Sequence, residues 1–122
     1  MSSPEYASWI NKEEIYFDQL TEVNINRLHN TLNLSGNPPS LGKPVFPLAL
    51  LILGEPSARP DELGEDGHPA RGGFMPPVSL KRRMFAGGDY EFFQALNVGE
   101  KVHVSWKITD CLLYTSDAAD EL

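Results

Sequence analysis

From Val45 to Leu53 the chain reads Val-Phe-Pro-Leu-Ala-Leu-Leu-Ile-Leu, without one polar side chain. A segment with no polar face is expected to be buried on all sides, so the rest of the chain has to wrap it. Its length suits either a strand or a short helix. Leu and Ala outnumber the β-branched residues and Pro47 suits a first helical turn, which predicts a short central helix. The segment then runs into a long connection, from Gly54 to about Met84, punctuated by Pro56, Pro60, Pro69, Pro76 and Pro77 and by Gly64, Gly67, Gly72 and Gly73. Connections of that length in a domain are functional or disordered. Phe74, Met75, Val78 and Leu80, interleaved through it, predict that it packs.

The flanking elements follow from local signals. The first nineteen residues mix acids with Tyr6, Trp9, Tyr16 and Phe17 and read as an extended segment packed on the body of the domain. Thr21 is placed as a helix N-cap with Glu22 in the first turn, where the helix dipole favours an anion. Ile25, Leu28 and Leu32 share one helical face, and the helix is expected to end near Leu34, with Gly36 as its left-handed terminator before Asn37-Pro38-Pro39. Asp89–Leu96 and Lys101–Asp110 are the strand candidates, joined in hairpin fashion through 97–100 with Gly99 free to take positive φ. In the second, Val102, Val104, Trp106 and Ile108 alternate with polar residues at a period of two, which puts Trp106 in the core. His29 and His103 are expected at the surface. The sum is an α+β fold.

Charge narrows the function classes. Asp plus Glu number 17 against 10 Lys plus Arg, a formal charge of −7. Phosphate backbones need clustered basic surface, so a nucleic-acid partner is not expected. No apolar run approaches the length of a membrane span, and the N-terminus lacks the basic and apolar regions of a secretory signal. With one cysteine and no possible internal disulfide, a cytoplasmic location is the expectation.

The end of the chain breaks the pattern. Cys111-Leu-Leu-Tyr-Thr-Ser-Asp-Ala-Ala-Asp-Glu121 resembles, over eleven successive residues, the translation of a transposase-type sequencing adapter. Residues 111–122 are therefore expected to be non-native, and 1–110 an incomplete domain. Without Asp117, Asp120 and Glu121 the formal charge moves from −7 to −4, and Cys111 goes with them.

Three further strings are distinctive: Gly72-Gly73-Phe74-Met75-Pro76-Pro77, Arg82-Arg83-Met84-Phe85-Ala86-Gly87-Gly88, and Leu96-Asn97-Val98-Gly99-Glu100, with Asp66-Gly67-His68-Pro69 ahead of them. This series resembles the N-terminal dehydratase-like domain of two-part MaoC-type acyl-thioester hydratases and dehydratases. Relatives of that layout include mesaconyl-CoA and itaconyl-CoA hydratases and hydroxyacyl-thioester dehydratase type 2. The resemblance covers roughly Trp9 to Asp110. It implies a hot-dog fold, an antiparallel sheet curled around one central helix, here truncated. It also implies a hydro-lyase acting on acyl-CoA or acyl-carrier thioesters, and homo-oligomers of the intact protein. No cofactor is implied beyond the coenzyme A or phosphopantetheine that is part of the substrate.

Adding water across an enoyl thioester needs a base for the water, an acid for the α-carbon and donors for the developing enolate oxygen. The resemblance implies an Asp and a His on a D-x-N-P-x-H loop after the first helix. The matching stretch here, Leu-Asn-Leu-Ser-Gly-Asn-Pro-Pro (32–39), keeps Asn37-Pro38 but has neither acid nor imidazole. The family's dyad would then sit in a missing C-terminal hot-dog domain, leaving this chain the non-catalytic N-terminal half. Asp66 and His68 are the remaining acid/base candidates, set against the plainer reading of an Asx turn. Arg82 and Arg83, with Lys81, are candidates for the phosphates of coenzyme A or an acidic carrier surface, against pairing with the acidic loop or a partner domain. Asp61, Glu62 and Glu65 lack metal-ligand spacing, so no metal is expected. The alternative reading from a different class is a stand-alone thioester-binding or dimerisation module that catalyses nothing.

Overall fold

The computed structural model describes residues 4–112. Apart from Cys111 and Leu112, the segment expected to derive from an adapter lies outside the described residues. Two units are distinguished. One holds the described residues of Met1–Glu14, Ala58–Arg82 and Ser105–Leu122, the other Ile15–Ser57 and Arg83–Val104.

Regular structure is sparse, as ten prolines and ten glycines dictate. Its elements are strand β1 (Glu13–Gln19), helix α1 (Glu22–Thr31), strand β2 (Lys101–Lys107) and 3-10 turns at Pro4–Trp9, Pro47–Ile52 and Pro60–Glu62. β1 and β2 form a two-stranded sheet. Its antiparallel register is fixed at one end by Asn11 N–H to Ile108 O (2.7 Å) and Ile108 N–H to Lys12 O (3.0 Å). At the other end, Leu20 N–H donates to Glu100 O (2.9 Å) and Gly99 N–H to Leu20 O (2.6 Å). The extended segment expected near the N-terminus is thus a paired strand preceded by a 3-10 turn.

The strand expected at Asp89–Leu96 does not form. A strand exists only as one side of a ladder, and β2 takes β1 as its neighbour instead. The end of the 89–96 segment is tied down through Val45 N–H to Leu96 O (2.9 Å) and, just beyond it, an isolated bridge between Pro44 and Asn97. Gly99 does adopt φ +96°.

In the second unit, Thr21 caps α1 as expected, its hydroxyl accepting Asn24 N–H at 3.1 Å. The helix ends at Thr31, three residues before Leu34. Asn33, at φ +53°, takes the left-handed position assigned to Gly36, a role for which Asn is the next-best residue. The buried cluster is Leu20, Ile25, Val45, Ala49, Leu53 and Val98, with Val102 and Val104 packed against it.

The apolar segment corrects the expectation of burial on every side. It is a 3-10 turn, and only Val45, Ala49 and Leu53, four residues apart, are buried. Leu48 and Leu51 are 47% and 50% exposed. One face meets α1 and the inner side of the sheet, and no described element covers the other. Trp106, expected in the core, is 46% exposed; the alternation of half-buried and exposed residues along β2 stops after Val104.

The long connection packs in part within the first unit. Arg71 organises it, with Nη1 donating to Val78 O at 2.6 Å and to Leu80 O. Lys12 lies over the Trp9 ring, 4.4 Å from its centroid, and donates to Gly73 O. Pro76 is buried and Phe74 and Val78 half-buried, but Met75 and Leu80 face solvent.

Candidate functional site

The loop after α1 is where the resemblance expects an Asp and a His. It carries neither, and its one imidazole contact comes from the helix. His29, expected at the surface, is 8% exposed, and its Nε2 lies 3.0 Å from Gly36 O. The periodicity holds the reason: residue 29 is four beyond the buried Ile25, so both side chains share a helical face. This imidazole ties the helix end to its loop. His103 is exposed as expected, with its ring edge-on to Phe17 at 4.6 Å.

In the first unit, Asp66 and His68 meet. The Asp66 carboxylate accepts His68 N–H through Oδ1 at 3.1 Å, an Asx turn, while Oδ2 lies 3.5 Å from His68 Nδ1. A small bridged loop holds them, through Gly64 N–H to His68 O (2.7 Å), Ala70 N–H to Glu62 O (2.9 Å) and a bridge between Leu63 and Pro69. This geometry is the Asx turn of the plainer reading, with the imidazole beside the same carboxylate. The carboxylate fixes the turn and orients the ring, and the His68 side chain is 59% exposed.

Neighbouring acids are engaged locally. Asp61 Oδ1 lies 3.3 Å from Arg59 Nε, and Glu62 accepts Arg59 N–H at 2.9 Å. Glu65 lies 3.9 Å from Lys81 Nζ, both well exposed, so one member of the basic cluster does turn to the acidic loop. Arg82 is exposed and Arg83 half-buried. Among the described residues no group of three or more His, Cys, Asp or Glu is placed to hold a metal ion. No described helix is long and apolar enough to cross a membrane. Tyr6 is buried, and its phenol is held above the ordinary tyrosine value, first by burial and then by the charge and hydrogen bond of Glu5.

What sequence reasoning missed is a groove. In the second unit, Leu28 of α1, Leu32 at its C-cap, Leu48 and Leu51 of the 3-10 turn, and Phe92 line an open cavity of about 580 Å³. A second cavity of about 270 Å³ adjoins it, sharing Phe46, Pro47 and Phe92. The apolar run itself was the signal. A 3-10 turn has three side-chain rows, and one partner element cannot cover them all.

A family model described as hydroxyacyl-thioester dehydratase type 2 matches residues 49–119, more than half of the chain. The chain belongs to that family of acyl-thioester hydratases and dehydratases. It is 35% identical over 100 residues to the mesaconyl-C(4)-CoA hydratase of Chloroflexus aurantiacus. That match takes in 82% of this chain and 36% of the hydratase, so the chain spans about a third of the length of its curated relative.

Proposed function

We propose that this chain is the non-catalytic N-terminal part of a hydro-lyase that adds or removes water across the α,β bond of acyl-CoA or acyl-carrier thioesters. The observation that carries the reading is the loop at 32–39. The chain belongs to a dehydratase family, yet the stretch after its first helix offers no acid and no imidazole. The general base and acid then come from polypeptide that the relative has and this chain does not, in a second domain of the same hot-dog type. Residues 1–110 are the native part, a truncated hot dog, and 111–122 the adapter-derived tail. Arg82 and Arg83 remain the residues we assign to the phosphates of coenzyme A or to a carrier surface, where guanidinium forks suit phosphate. The intact protein is read as a cytoplasmic homo-oligomer.

The test is the reading frame continued past Asp110 in the source DNA. A second domain with an Asp and a His on a D-x-N-P-x-H loop supports the proposal. So does loss of enoyl-thioester hydration when either of those two residues is replaced in the continued protein. A frame that closes after a single domain, whose product still binds CoA thioesters by calorimetry, would instead make this a stand-alone binding module.

A further inference from the structure

We infer that Asp66–Gly67 is a site of spontaneous covalent modification, where the aspartate closes on the next peptide nitrogen and reopens as isoaspartate. The inference concerns the loop itself and does not rest on the proposed function. Of all the Asp and Asn residues in the chain, Asp66 alone precedes a glycine. Glycine brings no Cβ to block a side chain folding onto its nitrogen. The loop geometry adds to that. Its Asx turn, with Oδ1 accepting His68 N–H at 3.1 Å, curls the carboxyl back over the Gly67 peptide. Gly67 holds φ +79°, and a Cβ there would meet nothing within 4 Å, so the peptide is open to approach. His68 Nδ1 lies 3.5 Å from Oδ2 and the loop end is exposed to solvent. Against the step, Gly67 N–H donates to Gly64 O at 3.1 Å, and that bond must open.

The two carboxylate oxygens then have different fates. The Gly67 nitrogen bonds to Asp66 Cγ while His68 N–H holds the negative charge that develops on Oδ1. The bond from Cγ to Oδ2 breaks. Oδ2 leaves as water, with one proton from the Gly67 amide and one from the imidazolium of His68, which is left neutral. Oδ1 stays as a carbonyl of the cyclic imide. Water next adds to the carbonyl that was the main-chain carbonyl of Asp66 and breaks its bond to nitrogen. The chain now runs through Cγ, and the new α-carboxyl returns a proton to His68. No oxidant or other reagent enters, and the net mass is unchanged.

The experiment keeps the 122-residue chain in warm neutral buffer for weeks, beside a sample in guanidinium chloride. Isoaspartate is read by methyl transfer from S-adenosylmethionine with an isoaspartyl methyltransferase. It is placed by an endoprotease that cuts before aspartate but not before isoaspartate, and the imide is read by mass as the loss of one water. Isoaspartate is expected at residue 66 ahead of every other Asp or Asn, and severalfold faster in buffer than in guanidinium. Gly67→Ala should nearly abolish it. His68→Ala keeps the backbone N–H of the Asx turn and should slow it severalfold. The bonds that set this geometry, Gly64 N–H to His68 O and Ala70 N–H to Glu62 O among them, lie within residues 62–70. The readout therefore does not wait on the folding of the rest of the chain. Isoaspartate forming first at another residue, or faster in guanidinium than in buffer, would overturn the inference. So would an unchanged rate in His68→Ala.

Discussion

At the scale of the residue, three positions decide more than their neighbours. Gly54 sits at φ +71°, its N–H donating to Asp18 Oδ2 at 2.8 Å, and a Cβ added there would lie 2.6 Å from Val104 Cβ. Gly54→Ala combines a left-handed backbone with overpacking against a strand and is expected to cost about 2–4 kcal/mol. Amide exchange at Gly54 and Val104 reads it, as loss of protection. Thr21→Ala removes the hydroxyl that accepts Asn24 N–H and should cost about 1 kcal/mol of helix stability. Helical ellipticity falls in that variant, whereas Thr21→Ser retains it. Tyr6 supplies the pH dependence. Its pKa is raised in the folded chain, so the folded state holds the proton longer than the unfolded state does. The stabilisation is complete below the ordinary tyrosine value of about 10 and is lost as pH rises beyond it. In a tyrosinate absorbance titration of the four tyrosines, Tyr6→Phe should remove the component that titrates late.

At the scale of the element, legibility followed how local each signal was. The Thr21 cap and the period of two through Val104 involve neighbours a few residues apart, and both were readable in the sequence. The partner of β2 was not. Nothing within 89–110 distinguishes a hairpin to the preceding segment from pairing with Glu13–Gln19, more than eighty residues upstream. His29 was legible and misread, since its place four residues after Ile25 put it on the buried face. In the candidate site, the Asp66–His68 contact was readable from spacing alone because a two-residue step closes an Asx turn. The groove was not, because it is made by α1, the 3-10 turn and Phe92 together.

The segment that failed to become a strand carries its own prediction. Phe85 and Phe93 are 83% and 91% exposed. Large aromatic side chains left exposed favour self-association. Phe85→Glu with Phe93→Glu should shift the chain toward monomer in sedimentation velocity, and an unchanged distribution would remove this segment as the cause.

At the scale of the whole molecule, the buried cluster is small and the uncovered apolar surface large. Each large side chain left in water forgoes roughly 1.5–3 kcal/mol of burial. Leu32, Leu48, Leu51 and Phe92, each about half exposed, together then forgo roughly 3–6 kcal/mol, against a whole-domain stability of roughly 5–15 kcal/mol. The chain by itself is expected to melt broadly, without a cooperative transition, while keeping the local structure of α1 and the Asp66–His68 loop.

On the proposed function, this polypeptide belongs to a hydratase family but does not carry the hydration chemistry. Enoyl-CoA hydration by the 122-residue chain, followed as loss of enoyl-thioester absorbance over a series of acyl lengths, tests it most directly. No rate above the uncatalysed reaction is expected, and no change on His68→Ala. Measurable hydration by the chain alone, abolished by His68→Ala and by Asp66→Asn, would contradict it and place the general base in the Asp66–His68 loop.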